Sequence, residues 1–143
     1  MKFPMKFEVS AIATEGIGSQ WTAQTDQLPP IPSAIPPEFN GPGGGYSPED
    51  LYAIAVLNCL IATYKVYCEK SKISYQQIQG RGLLTVDKQP SEPSFFMSRI
   101  EIFIDVSGCS DPSKGKQLLE AAVRDCAVSN SIKSTKAFHL TVG

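Results

Sequence analysis

The chain has 143 residues and a formal net charge of −1, from 13 Lys+Arg against 14 Asp+Glu. That length suits a single domain over residues 1–143, and two independent cores are not expected. Hydrophobic residues at 42% and charged residues at 19% exclude global disorder, and the lack of any like-charge run argues against nucleic acid as a partner.

The N-terminus, Met1-Lys2-Phe3-Pro4-Met5-Lys6, carries charge but no following apolar run, so no secretory signal is expected. The longest uncharged segment, Leu51 to Tyr64, falls short of the roughly 20 apolar residues a spanning helix needs. The expectation is a cytoplasmic chain with reduced thiols and no membrane partner.

In chain order, Lys6 to Ala13 alternates partly and reads as a strand. Glu15-Gly16-Ile17-Gly18 reads as a turn, and Gln20 to Thr25 as the returning strand of a hairpin or meander. Residues 28–47 hold six prolines and the run Gly43-Gly44-Gly45. So many prolines fit neither a helix interior nor a central strand, which predicts an ordered covering loop.

A helix is predicted over Pro48 to Lys70. Ser47 suits the N-cap, Pro48 the first helical position, and Glu49 and Asp50 the positive end of the helix dipole. From Leu51 to Ala62 it is apolar nearly all round, so it needs cover on most sides. One sheet covers one side; a second helix, a partner copy or both must cover the rest, which predicts a homo-oligomer, most simply a two-fold homodimer.

Tyr75 to Asp87 reads as extended, with Gly80 and Gly82 marking a bulge, and Pro90 to Pro93 as a turn. Phe96 to Val106 is the clearest strand. Phe96, Ile100, Ile102, Ile104 and Val106 fall on one face and Arg99, Glu101 and Asp105 on the other. Asp111 and Pro112 then open a second helix, with Leu118, Leu119, Ala122, Val123 and Cys126 broadly on one face. Ala137 to Val142 reads as a last strand. Segregated strands with two helices mean α+β with antiparallel sheet.

The glycine-rich loop before Ser47 lacks the lysine of a phosphate-binding loop and the glycine spacing of a dinucleotide site. It reads as a loop that passes close to other backbone. The four cysteines are Cys59, Cys68, Cys109 and Cys126; no two are spaced C-x-x-C, and His139 is the sole histidine. That pattern gives no metal site, and no cofactor is expected. Each cysteine is either a small core side chain or a redox thiol. Cys59 and Cys68 lie ~13 Å apart along one helix and on opposite sides of it, too far for a disulfide. Cys109 sits in a loop and reads as a bystander. His139 and the tyrosines Tyr46, Tyr52 and Tyr64 read as structural first, although the tyrosines could line a cleft.

Three segments carry a resemblance: Pro37-Glu38-Phe39-Asn40-Gly41-Pro42-Gly43-Gly44, then Ser47-Pro48-Glu49-Asp50-Leu51 with Asn58-Cys59-Leu60, and finally Cys126-Ala127-Val128-Ser129-Asn130-Ser131-Ile132. In this order they resemble the OsmC/Ohr family, over about residues 5–142. The resemblance implies an intertwined homodimer of α+β subunits with two central cysteine-bearing helices. It also implies a thiol-dependent peroxidase acting on organic hydroperoxides. Cys59 is then the peroxidatic cysteine and Cys126 the resolving one, with a dithiol, such as a lipoyl group on a partner protein, as reductant. Glu49 matches the family's active-site glutamate. Within one helix it lies about 15 Å from Cys59, so it would act across a dimer interface.

The sequence departs from the family pattern twice. The family's arginine from the N-terminal strand region is missing: Ala11 to Gln20 contains none, and the first arginine is Arg81. Arg81, Arg99 and Arg124 are the candidate substitutes. Ala127 stands where the family motif has proline, a change expected to alter the local backbone and not the thiol. The alternative reading is a non-catalytic dimer of the same fold that binds a hydrophobic small molecule or senses oxidation through its cysteines.

Overall fold

A computed structural model describes residues 1–143, as two compact units, Met1–Leu51 and Tyr52–Gly143. The fold is α+β, with two helices and two three-stranded sheets.

The first unit is a meander of β1 (Val9–Ile12), β2 (Trp21–Thr25) and β3 (Ile31–Ser33), in that order and antiparallel throughout. The proline-rich segment was expected to be loop alone, but it contributes β3. Pro32 is tolerated there because β3 is a sheet edge, where a missing N–H breaks no ladder. A one-turn 3-10 helix, Pro37–Phe39, follows. The glycines after it meet the expectation of close backbone approach: a Cβ at Gly41 would lie 2.0 Å from the Ile35 carbonyl oxygen, and one at Gly45 2.8 Å from the Ser33 carbonyl carbon.

Helix α1 (Pro48–Ser71) opens on a reciprocal cap. The Asp50 N–H donates to Ser47 Oγ and the Ser47 N–H to Asp50 Oδ2, each at 3.0 Å. Length and composition alone would let α1 cross a bilayer. Here Val56, Leu60, Tyr64 and Cys68, spaced four apart along one face, are buried in the core. That core is completed by Ile100, Ile102, Ile104 and Val106 of the second sheet and by Leu118, Leu119 and Ala122 of the second helix.

The second sheet has the order β4 (Gln77–Lys88), β5 (Phe95–Ser107), β6 (Thr135–Val142). It corrects the antiparallel expectation in part. β4 and β5 form an antiparallel hairpin, but β6 runs parallel to β5. Between β5 and β6 lies α2 (Pro112–Asp125), and a helical crossover returns the chain to the end of the sheet where β5 began. The bulge is also displaced from its expected place. Gly80 and Gly82 stay in register; a Cβ at Gly80 would come within 2.8 Å of Leu57 Cδ1, so that glycine admits α1 to the sheet. The register slips instead between Thr85 and Val86, where Ser98 is passed over and its hydroxyl donates to the Thr85 carbonyl. This slip turns Phe96 off the core face, where alternation had placed it, and leaves it 38% exposed. Asp111 caps α2 as expected, its side chain accepting the Lys114 N–H at 3.1 Å.

Candidate active site

Cys59 stands near the middle of α1 and is half-buried. Cys126 is the first residue past α2 and is fully buried. The fold brings these two close enough for each thiol to act on the ionisation of the other.

The local backbone explains what surrounds the sulfurs. Cys126 leaves the helix in an extended conformation (φ −65°, ψ 109°), and the chain then coils into a 3-10 turn at Ser129–Ser131. Within that bend the Asn130 N–H donates to the Cys126 carbonyl and the Ser131 N–H to the Val128 carbonyl. The N–H groups of Ala127 and Val128 meet no backbone carbonyl. Both amides favour the charged form of Cys59, and the Val128 N–H favours that of Cys126 as well.

Burial is the largest influence on Cys59 and opposes its ionisation. The Val128 N–H, the Cys126 thiol, the Ala127 N–H and the Thr63 hydroxyl together outweigh it and hold the Cys59 thiol below its ordinary pKa. Cys126 is shifted the opposite way. Burial pushes it up and so does the neighbouring Cys59 sulfur, while the N–H groups of Ser129 and Val128 pull it down by less. The two thiols are thus shifted in opposite directions, and Cys59 is the more readily ionised of the pair.

None of the groups acting most strongly on Cys59 is a lysine or an arginine. Two of the three arginines considered as substitutes have other partners. Arg81 lies over the Phe103 ring, 4.1 Å from its centre, and Arg99 pairs with Glu101 at 2.9 Å. Arg124 closes the last turn of α2. The Ala127 amide is among the groups that favour the charged form of Cys59.

Thr63 and the amides of Ala127 and Val128 were not among the sequence candidates. Thr63 was within reach of sequence reasoning, being one turn beyond Cys59 on the same face; its hydroxyl also donates to the Cys59 carbonyl at 2.8 Å. The amides left no side-chain signal at all. Glu49 lies in the first turn of α1, and its Oε2 is buried without a hydrogen-bond partner.

The remaining candidates have structural surroundings. Burial pushes the Cys68 thiol up, with the neighbouring Tyr64 hydroxyl opposing it by less. Cys109 donates weakly to the Asp111 carbonyl at 3.4 Å. Tyr64 is a core residue and Tyr46 is exposed, while the Tyr52 hydroxyl lies 2.7 Å from the buried Ser134 Oγ. His139 stacks on Phe103 with ring centres 4.4 Å apart.

A family model described as OsmC-like protein matches residues 41–141. The chain belongs to the OsmC-like family. Solved structures extend the likeness over almost the whole OsmC-like chain. An OsmC-like protein of unknown function from Vibrio cholerae superposes with a TM-score of 0.81 at 13% identity, covering 95% of this chain and 99% of that one. An organic hydroperoxide resistance protein OsmC from Legionella pneumophila gives 0.75 at 22%, covering 99% of each chain. The organic hydroperoxide resistance protein OhrB of Bacillus subtilis gives 0.69 at 18%, covering 97% of this chain and 98% of that one. At these identities the likeness establishes a shared fold. Among curated proteins none matches this OsmC-like chain by sequence.

Proposed function

We propose that this OsmC-like chain is a thiol-dependent peroxidase that reduces organic hydroperoxides, with Cys59 as the peroxidatic and Cys126 as the resolving cysteine. The observation that carries the reading is the unequal pair: a half-buried Cys59 whose thiol ionises more readily than a free one, beside a fully buried Cys126 shifted the other way. The organic hydroperoxide resistance proteins among the structures of like fold support the same substrate class.

The chemistry follows from the protonation pattern. Cys59 thiolate attacks the terminal oxygen of ROOH. A sulfur–oxygen bond forms, the O–O bond breaks, and the alkoxide leaves as ROH after taking a proton. Cys59 is left as a sulfenic acid, two electrons more oxidised. The Cys126 sulfur then attacks Cys59 Sγ. The disulfide forms, and the hydroxide leaves as water with the Cys126 proton. A dithiol, such as a lipoyl group on a partner protein, reduces the disulfide and returns both cysteines to the starting state.

The active form in this reading is an intertwined homodimer. Ile54, Ala55, Asn58, Ala62 and Val66 form an exposed stripe on α1, with Ile54 at 38% and Val66 at 49%. A second copy covers this stripe and brings Glu49 of its own helix to the site, where the unpartnered Oε2 finds a donor.

Peroxide consumption with cumene hydroperoxide and a dithiol tests the proposal. Wild type turns over, prefers the organic peroxide to hydrogen peroxide, and loses turnover in Cys59→Ser. Equal consumption by wild type and Cys59→Ser would overturn it.

A further inference from the structure

The outer face of the second sheet, turned away from α1 and the core, carries a cleft of about 710 Å³ lined by Gln79, Arg81, Phe103, Asp105, His139 and Thr141. The strand registers explain why these side chains meet. Arg81 stands opposite Phe103 and Phe103 opposite His139; in the next row on this face, Gln79 stands opposite Asp105 and Asp105 opposite Thr141. Side chains on one face of neighbouring strands touch across the ladder. The first row is a stack of three flat groups. The Arg81 guanidinium lies over the Phe103 ring, 4.1 Å from its centre, and the His139 ring packs nearly parallel to Phe103 with centres 4.4 Å apart. In the second row the Thr141 hydroxyl donates to Asp105 Oδ1 at 2.8 Å and so orients the carboxylate.

The charges in this cleft do not pair with each other. The Arg81 guanidinium makes no hydrogen bond and no ion pair, although Asp105 is its diagonal neighbour across the ladder. Glu101, the diagonal neighbour on the other side, is held by Arg99 at 2.9 Å. A guanidinium laid flat on a ring keeps its N–H fork free and already oriented, which suits bidentate capture of a carboxylate. Asp105 repels a ligand that is only anionic and attracts an ammonium. A ligand that carries one charge of each sign answers both, and the Phe103–His139 wall gives a flat side chain a surface to pack on. We propose that this face binds a small zwitterion, an aromatic α-amino acid, with its carboxylate on Arg81, its ammonium on Asp105 and its ring against His139. Helix α1 packs on the opposite face of the sheet and the cysteine pair takes no part, so the inference stands apart from the peroxidase reading.

Amide resonances of the isotope-labelled protein, followed through titration with three probes, test the proposal. The probes are L-phenylalanine, phenylpropionate, which lacks the ammonium, and phenethylamine, which lacks the carboxylate. L-phenylalanine moves the signals of Gly80, Ile104 and Leu140, which also line the cleft, and saturates in the millimolar range. Each analogue binds about tenfold more weakly, the loss expected for one charge-assisted contact. Arg81 and Asp105 are both exposed, so their variants keep the fold. Arg81→Gln weakens L-phenylalanine about tenfold and leaves phenethylamine unchanged, whereas Asp105→Asn weakens phenethylamine and strengthens phenylpropionate. No saturable shift with millimolar L-phenylalanine, or equal binding by wild type, Arg81→Gln and Asp105→Asn, overturns the proposal. Binding of either analogue as tight as that of L-phenylalanine removes the zwitterion and overturns it equally.

Discussion

At the scale of the residue, a cysteine becomes a nucleophile through its neighbours. Cys59 and Cys126 are chemically identical and both resist ionisation through burial, yet the donors around Cys59 outweigh that burial and those around Cys126 do not. The pH dependence follows with a definite sign. Alkylation of Cys59 rises with pH through an inflection below the ~8.5 of a free thiol, because its charged form is favoured in the fold. Alkylation of Cys126 rises only above that value, because its neutral form is favoured. Site-resolved alkylation rates check both, and a common inflection at the free-thiol value would contradict the account. The Thr63 hydroxyl is among the groups that favour the charged form of Cys59, so Thr63→Val should raise the Cys59 inflection. Loss of the resolving thiol has a different signature. Cys126→Ser should oxidise at Cys59 once per chain and then accumulate sulfenic and sulfinic acid, seen as mass increments of one and two oxygens.

At the scale of the element, most of the frame was legible in the sequence. Capping signals placed both helices: Ser47 with Asp50 for α1, and Asp111 with Pro112 for α2. These signals act locally, so no knowledge of the fold is needed to read them. Asp111→Ala should cost about 1 kcal/mol, measured as a lower urea midpoint, since the Lys114 N–H then loses its acceptor. Leu60→Ala, on the buried face of α1, should cost about 2–5 kcal/mol by the same measurement. The failures have physical reasons. The slip at Thr85/Val86 carries no glycine or proline, so alternation was extrapolated through it and Phe96 was assigned to the wrong face. The parallel pairing of β5 with β6 is decided by where α2 returns the chain, a property of the whole second sheet and not of either strand. β3 was hidden because proline is depleted in strands, though an edge accepts it. In the site, the cysteines could be named from their segments, but the amides that distinguish them could not, because every residue except proline has one.

At the scale of the whole molecule, α1 states an unfinished requirement. It is apolar nearly all round, but a single chain buries mainly the Val56–Leu60–Tyr64–Cys68 face. Exposed apolar residues also recur along the N-terminal segment, at Phe3, Phe7, Val9 and Ile12. Covering such surfaces is a strong driving force for association. Sedimentation velocity should give a dimer at micromolar concentration. Ile54→Glu should shift it toward monomer and lower peroxide turnover with it, since the proposed site takes its Glu49 from a second copy. A monomeric wild type with full turnover would remove both the dimer and the role of Glu49.

The central claim is that Cys59 and Cys126 act as one redox pair, and a single oxidation experiment addresses it. Fully reduced protein is mixed with about one equivalent of cumene hydroperoxide, quenched within seconds, and its cysteines are mapped by mass spectrometry. The account predicts a Cys59–Cys126 disulfide, absent in Cys59→Ser, with Cys68 and Cys109 still free. Two free thiols at positions 59 and 126 after long exposure, or a disulfide that forms without Cys59, would contradict it.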